Sequence, residues 1–182
     1  MRAYPNRLTL LSMVATGLIT SCTKDGQQDL NLTAELQMQY NSVEFTIPPT
    51  PTTGAIQLSL ALDGQALAQT LSANGYSMDQ LKEFHFTNAT LHIESPDSAN
   101  YNAFQSISLQ LSISGGNPVT VASMDPVPDG VHSLTLNTPG DDVAQILQSA
   151  NVQLIASVVL DGLVTDTVTH KLDLGGRIKV KL

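Results

Sequence analysis

The chain contains a single cysteine, Cys22, which directly follows an apolar run near the N-terminus. A lone thiol cannot close a disulfide within the chain. It also cannot hold a metal without further ligands, since a structural zinc site needs about four. The role of Cys22 must therefore be inferred from its position directly after an apolar segment.

The four histidines, His85, His92, His132 and His170, show none of the spacings typical of a metal site. No His-x-x-x-His pair occurs, and a regular strand would place His85 and His92 on opposite faces. We therefore expect no metal centre.

Acidic residues form two short clusters that have ordinary structural explanations. Residues 125–130, DPVPDG, lack the dense oxygen pattern of an EF-type calcium loop, so we expect a solvated turn. Asp141 and Asp142 fit the N-terminus of a helix. The sequence has no Gly-x-Ser-x-Gly elbow, Walker loop or dinucleotide-binding fingerprint, so we expect neither catalytic residues nor a cofactor. A hydrolase with scattered carboxylates, which need no fixed spacing, is the alternative.

The N-terminus has the pattern of an export signal. Arg2 and Arg7 precede the thirteen residues 8–20, which are mostly apolar. This run is shorter than the roughly 20 residues that a membrane-spanning helix needs. A positive segment followed by a short apolar segment is typical of a secretory signal peptide, and a buried core helix is the alternative.

The four residues that end at the cysteine, Ile19, Thr20, Ser21 and Cys22, resemble the lipobox of bacterial lipoproteins. The resemblance implies cleavage between Ser21 and Cys22, a diacylglycerol on the Cys22 sulfur and acylation of the new amino group. Several acyl chains anchor a protein stably where one does not. Thr23 rather than an aspartate follows the cysteine, which implies the outer membrane by the sorting rule of that family. A cleaved signal with an incidental free cysteine is the alternative.

These features divide the chain into three parts. We expect a lipoprotein signal peptide over residues 1–21, a lipidated N-terminus and short tether over residues 22–29, and one folded domain over residues 30–182. The seven residues after the cysteine reach at most about 25 Å when extended, so we expect the domain close to the membrane.

Composition favours an exported β protein and disfavours a nucleic-acid-binding one. Charged residues make up 13% of the chain, against about 25% in typical soluble proteins. The net charge is −8 and no basic stripe is present, so we expect no nucleic-acid partner. Tryptophan is absent, which disfavours a binding surface built on aromatic stacking.

Alternating apolar and polar residues indicate strands along most of the domain. Residues 107–113 place Leu109 inward and Ser108 outward, and a change of phase near Asn88 predicts a bulge or a strand that passes between sheets. Residues 30–40 alternate throughout, and one face holds Leu30, Leu32, Ala34, Leu36, Met38 and Tyr40.

Turn signals separate these strands. Asp161-Gly162 lies between two β-type runs and predicts a hairpin with a type I′ turn. Residues 175–176, Gly-Gly, precede a final strand whose inward residues are Ile178, Val180 and Leu182.

Short helical segments interrupt the strand pattern at a few places. Asp63 is expected to cap a helix that carries Leu67 and Leu71 and ends at residues 74–75. Residues 77–80 match a capping box, and Asp141 or Asp142 begins a further helix. The sequence therefore predicts an all-β fold, a single antiparallel β-sandwich of about nine or ten strands with two or three short helical segments. A closed barrel is the alternative.

With the lipobox and the low charge, residues 81–111 resemble small outer-membrane lipoproteins of the Bacteroidota type. Such proteins often carry O-glycans on a Ser or Thr that follows Asp and precedes a small or aliphatic residue. Ser98 in residues 97–99 and Thr167 in residues 166–168 match that pattern. Ser98 lies in a predicted loop, whereas Thr167 lies in a predicted strand and is less accessible. Chance is the alternative at both positions.

These observations predict a lipid-anchored, non-enzymatic outer-membrane lipoprotein that acts as a structural or protein-interaction module of the cell envelope. Its expected partners are the membrane, through Cys22, and another envelope protein or further copies of itself. One alternative is a binding protein for a glycan or a small apolar ligand. Another is a pilus-like subunit, whose end strands could pair with a neighbouring subunit. Whether the domain faces the periplasm or the cell surface is left open.

Overall fold

A computed structural model describes residues 32–113, 116–149 and 151–182. The predicted signal peptide, Cys22 and the tether lie outside these residues. The described part forms nine strands, two α-helices and one 3-10 turn. The strands are β1 (Thr33–Gln39), β2 (Val43–Ile47), β3 (Gly54–Leu60), β4 (Leu81–Ser95), β5 (Phe104–Ile113), β6 (Val119–Met124), β7 (Ser133–Thr135), β8 (Val152–Leu160) and β9 (Val168–Lys181). The helices are α1 (Ala66–Ala73) and α2 (Ala144–Leu147), and the 3-10 turn spans Met78–Gln80.

The strands form two antiparallel sheets, which confirms the predicted all-β sandwich. The first sheet has five strands in the order β1-β9-β4-β7, with β2 also paired to β9. β1 lies opposite residues 175–181 and β2 opposite residues 168–172, so both strands share one side of β9. The second sheet has four strands in the order β3-β8-β5-β6.

Apolar residues from the inner faces of both sheets form one core. Leu109 and Leu111 of β5 and Leu172 and Ile178 of β9 are buried, as the alternation predicts. Burying a leucine or isoleucine side chain contributes about 2 kcal/mol relative to leaving it exposed. Ser108, next to Leu109, is half-buried on the outer face of its sheet.

The predicted irregularity near Asn88 is a β-bulge within β4. The pairing of β4 with β9 shifts between Phe86 and Asn88. The extra residue restores the inward direction after the bulge, so that Phe84, Phe86, Ala89 and Leu91 are all buried. β4 therefore stays in the first sheet along its whole length and does not pass between the sheets.

The predicted hairpin at Asp161-Gly162 is wrong. β8 belongs to the second sheet, where β3 and β5 occupy both its edges, and β9 belongs to the first sheet, between β4 and the β1–β2 side. The two strands have no free edge to offer each other. The N–H groups of Asp161 and Gly162 instead donate to the carbonyl oxygen of Ala103, at 3.2 and 3.4 Å. A dipeptide reports local turn preference, whereas strand pairing here is decided by long-range contacts.

Two further expectations, one about the glycine pair and one about the leucines that flank β1 and β9, need correction. Gly175 and Gly176 lie inside β9 rather than before it. A Cβ on Gly176 would collide with the Cζ atom of Phe84, so this glycine makes room for a buried ring. Leu182 and Leu32 were expected to point inward, but they are 60% and 53% exposed, because each lies one residue beyond the end of its paired strand.

The predicted helical segments are present, but Asp63 is not the N-cap of α1: that position is held by Gln65, whose side chain makes no capping hydrogen bond. The Gln65 N–H donates to Asp63 Oδ1 at 3.0 Å ahead of α1, whose Leu67 and Leu71 are buried. The predicted capping box between Ser77 and Gln80 is present.

Asp142 supports the start of α2 and also joins it to the first sheet. Its Oδ1 accepts the N–H of Ala144 at 3.0 Å and the N–H of Phe84 at 2.9 Å. The N-cap of α2 is Val143 rather than either aspartate, so only Asp142 of the acidic pair supports the start of the helix, through the Ala144 N–H.

Candidate functional site

The two predicted glycosylation motifs lie at the same end of the domain. Ser98 is exposed in the loop between β4 and β5, as predicted. Thr167 is also exposed, because β9 begins only at Val168, so its predicted position within a strand is wrong. Ser21 and Cys22, the predicted cleavage and lipidation residues, lie outside the described residues.

A groove of about 390 Å³ separates the loops that carry these motifs. Ser98 and Asp166 contribute polar groups to its wall, and Phe104 and Val168 contribute apolar surface. Gly162 lets the two loops approach each other, since a Cβ there would lie 3.0 Å from the Cα of Ala103. The groove can accept a small ligand with both polar and apolar parts.

An aromatic cluster around His170 lies close to this groove. His170 is fully buried, and the ring of Phe45 stacks on it with centroids 5.0 Å apart. The Tyr101 hydroxyl lies 3.4 Å from His170 Nδ1, and Phe104 packs edge-on against the imidazole. Burial lowers the pKa of His170 to about 4 and raises the pKa of Tyr101 above its ordinary value. His170 is therefore a neutral core residue at pH 7.

The remaining histidines lie on the surface of the first sheet or in loops. His85 Nδ1 lies 2.7 Å from the carbonyl oxygen of Gly140, which requires this nitrogen to carry the proton. Its Nε2 faces Glu83, and a hydrogen bond from Lys179 to Glu83 at 3.2 Å lowers the pKa of that carboxyl. In the three described ranges, no group of three or more His, Cys, Asp or Glu side chains is placed to hold a metal ion.

The outer face of the first sheet carries most of the described positive charge. The outward residues of β9 alternate with buried ones, and they include Lys171, Arg177, Lys179 and Lys181. Lys82 is the fifth Lys or Arg of the described part. These cations are interspersed with carboxylates, so that this face is charged with both signs.

The second sheet differs in kind, because none of its four strands, residues 54–60, 104–113, 119–124 and 152–160, contains a charged residue or a histidine. We call the outward side of this sheet the uncharged face. Strand pairing aligns its residues in rows across the sheet. One row is Gln57, Ser157, Ser108 and Ser123, and the next is Ser59, Ile155, Gln110 and Thr120.

The low overall charge is evident from the sequence, but the grouping of the charge-free strands into one sheet is not. The signal was present, since each of these strands lacks charge by itself. Only the topology shows that the four of them are neighbours.

Neither helix in the described residues is long and apolar enough to cross a bilayer, since α1, the longer of the two, has only eight residues. A scan against models of known protein families finds no match, and a search of curated proteins finds no significant similarity.

Proposed function

We propose that this chain is an outer-membrane lipoprotein, held by acyl chains on Cys22, whose β-sandwich is a non-enzymatic module that binds another envelope protein or a second copy of itself. The observation that carries the proposal is the uncharged face. The lipobox-like residues 19–22, behind a positive and an apolar segment, support the anchor.

Desolvation favours the uncharged face as the contact surface. Removing hydroxyl and amide groups from water costs far less than removing ammonium and carboxylate groups, and a partner can replace their hydrogen bonds. The centre of the face also offers apolar surface from Ile155 and Val159, which are half-buried. The free-energy cost of dehydrating this face when a partner covers it is therefore low.

The edge of the second sheet supports the same conclusion. β3 is an edge strand of seven residues, GAIQLSL, without a charge or a proline. Proteins commonly protect exposed edge strands with charged side chains, prolines or very short strands. The first sheet does so: β1 and β2 carry Glu35 and Glu44, and β7 has three residues. β3 is left open to pairing with a partner strand.

The size of the face indicates how a partner would have to bind. The four strands have six to ten residues each, and at about 3.4 Å per residue and about 4.8 Å between strands they cover about 500 Å². Stable complexes bury about 800 Å² on each partner. A stable partner therefore extends beyond the face, and the open edge of β3 gives it room to do so.

The proposal is tested on the lipidated protein, extracted from native membranes in mild detergent. The measurement is the mass of protein in the purified particle, without the bound detergent. We expect a mass above that of the monomer. Gln57→Glu, which puts a charge on the uncharged face, should reduce it to the monomer mass. Gln37→Glu, an equivalent change on the exposed side of β1, should not. A wild-type protein that migrates alone contradicts the proposal.

The anchor is tested separately. Labelled palmitate should enter the wild-type chain and not Cys22→Ser. A substituted chain that still takes up label and still floats with membranes contradicts anchoring at Cys22.

The groove between the loops favours a second candidate function, binding of a small glycan or partly apolar ligand. Its wall combines Ser98, Asn100 and Asp166 with Phe104 and Leu163. A ligand that binds only the folded state raises the melting temperature by mass action. A protein that migrates alone and melts higher with such a ligand would replace the interaction module by this function.

A further inference from the structure

Two exposed leucines lie side by side where the folded domain meets the tether. The large apolar residues that are exposed in the described part are Leu32, Leu163 and Leu182, at 53%, 58% and 60%. The N–H of Leu182 donates to the carbonyl oxygen of Leu32 at 3.0 Å, so these two residues are neighbours. They lie where β1 begins and β9 ends, which we call the near end of the domain.

Covalent geometry keeps the near end close to the anchor. Leu32 follows Cys22 by ten residues. A chain of this length reaches at most about 35 Å when fully extended. If Cys22 carries acyl chains, the near end is therefore the part of the domain that the bilayer can meet first.

Charge distinguishes the near end from the opposite one. Lys82 lies at the irregular start of β4, and Lys179 and Lys181 lie in the last residues of β9, where they pair with Glu35 and Thr33 of β1. The nearby carboxylates Glu35 and Glu83 face Lys179 across the sheet. With Asp79, just ahead of β4, and the pair Asp141 and Asp142, held against β4 by the bond from the Phe84 N–H to Asp142 at 2.9 Å, this end has three lysines and five acids.

The opposite end, which we call the far end, is strongly acidic. It consists of the loops 96–103, 125–130 and 161–167, which the bonds of Asn102 to Gly130 and of Asp161 to Ala103 hold together. These loops contain five aspartates and no lysine or arginine. Lipid phosphates therefore repel the far end more strongly than the near end, where three lysines can pair with them.

We propose that Leu32 and Leu182 rest in the headgroup region of the bilayer that holds the acylated Cys22, so that the near end faces the lipid surface and the far end points away from it. The inference rests on the proposed lipid anchor. Two leucines insert shallowly, and nearby lysines favour contact with anionic headgroups. β9, fourteen residues long, then stands away from the membrane, and the uncharged face is presented sideways to neighbouring envelope proteins.

The absence of tryptophan from the chain allows a direct test. The lipidated full chain is reconstituted in vesicles of phosphatidylcholine and phosphatidylglycerol whose acyl chains carry bromine, which quenches tryptophan fluorescence. Each protein carries one tryptophan, from Leu32→Trp, Leu182→Trp or Leu163→Trp. The last is the matched control, an exposed leucine in the far-end loops.

We expect Leu32→Trp and Leu182→Trp to lose at least half of their emission and to shift to shorter wavelength, while Leu163→Trp is unchanged. Equal and weak quenching at all three positions, in protein that floats with the vesicles and carries the palmitate label, overturns the orientation and leaves the anchor intact. Protein that neither floats nor takes up label overturns the anchor and the orientation together.

Discussion

The two sheets bury the same kind of residue on their inner faces and differ on their outer faces. Leu109 and Leu154 of the second sheet are as fully buried as Leu172 and Ile178 of the first. Outside, the first sheet carries lysines, arginine, histidines and carboxylates, whereas the strands 54–60, 104–113, 119–124 and 152–160 carry none of these. A buried core needs only an apolar inner face. The core therefore does not dictate which residues lie on the outer faces. The first sheet has a charged outer face that water solvates well, whereas the outer face of the second sheet is easier to dehydrate.

The largest effect is expected from placing a charge on the inner side of the second sheet. Leu109→Asp should unfold the domain, because a carboxylate without a partner in the core costs several kcal/mol, comparable with a total stability of about 5–15 kcal/mol. Ser108→Asp, on the uncharged face, should cost less than about 1 kcal/mol. Urea unfolding followed by circular dichroism measures both. Equal tolerance of the two changes would mean that the inner and outer faces are assigned wrongly.

Acid should destabilise the fold through the interior of the first sheet. Folding lowers the pKa of His170 from 6.5 to about 4, so the unfolded chain binds a proton that the folded chain does not. The free energy of unfolding has its full value from this group above pH 6.5 and falls as the pH drops towards 4. Below that value, His170 causes no further change. At about 1.4 kcal/mol per pH unit, the loss reaches about 3 kcal/mol.

The control for this prediction is His170→Phe, which cannot take up a proton and can keep the aromatic contacts with Phe45 and Phe104. The slope of unfolding free energy between pH 4 and 6.5 should be smaller in this variant than in the wild type. An unchanged slope would assign the acid sensitivity to other groups.

A smaller effect is expected where Gly176 of the first sheet packs against the ring of Phe84. Gly176→Ala should cost about 1–3 kcal/mol, because the added methyl group meets the ring of Phe84 inside the core. Gly175→Ala meets the flexible side chain of Gln39 at 2.7 Å and should cost less. Thermal unfolding of both variants measures the difference. A larger loss for Gly175→Ala would contradict this account of why β9 contains two glycines.

Several parts of this fold could be predicted from local patterns because their physical causes are local. Alternation located the strands, the Asn88 irregularity followed from a change of phase, and the capping box at residues 77–80 followed from hydrogen bonds between near neighbours. Strand partners could not be predicted in this way. The Asp161-Gly162 dipeptide indicated a hairpin, but β8 and β9 have other neighbours on both sides.

The candidate surfaces show the same division. The lack of charge in each strand of the second sheet is visible in the sequence, but the uncharged face exists only because β3, β8, β5 and β6 lie side by side. The exposed position of Thr167 depends on where β9 begins, which alternation alone places only to within a few residues. The predicted glycans on Ser98 and Thr167 stay predictions, which mass spectrometry of the native protein can decide.

The most direct test of the difference between the two sheets is photo-crosslinking in intact cells. A photoreactive amino acid replaces Ser108, on the uncharged face, or Thr90, at an equivalent outward position of the first sheet. We predict a discrete cross-linked product from position 108, which disappears in Gln57→Glu, and none from position 90. Products from position 90 alone, or equal products from both positions, would contradict the claim that the uncharged face is the interaction surface.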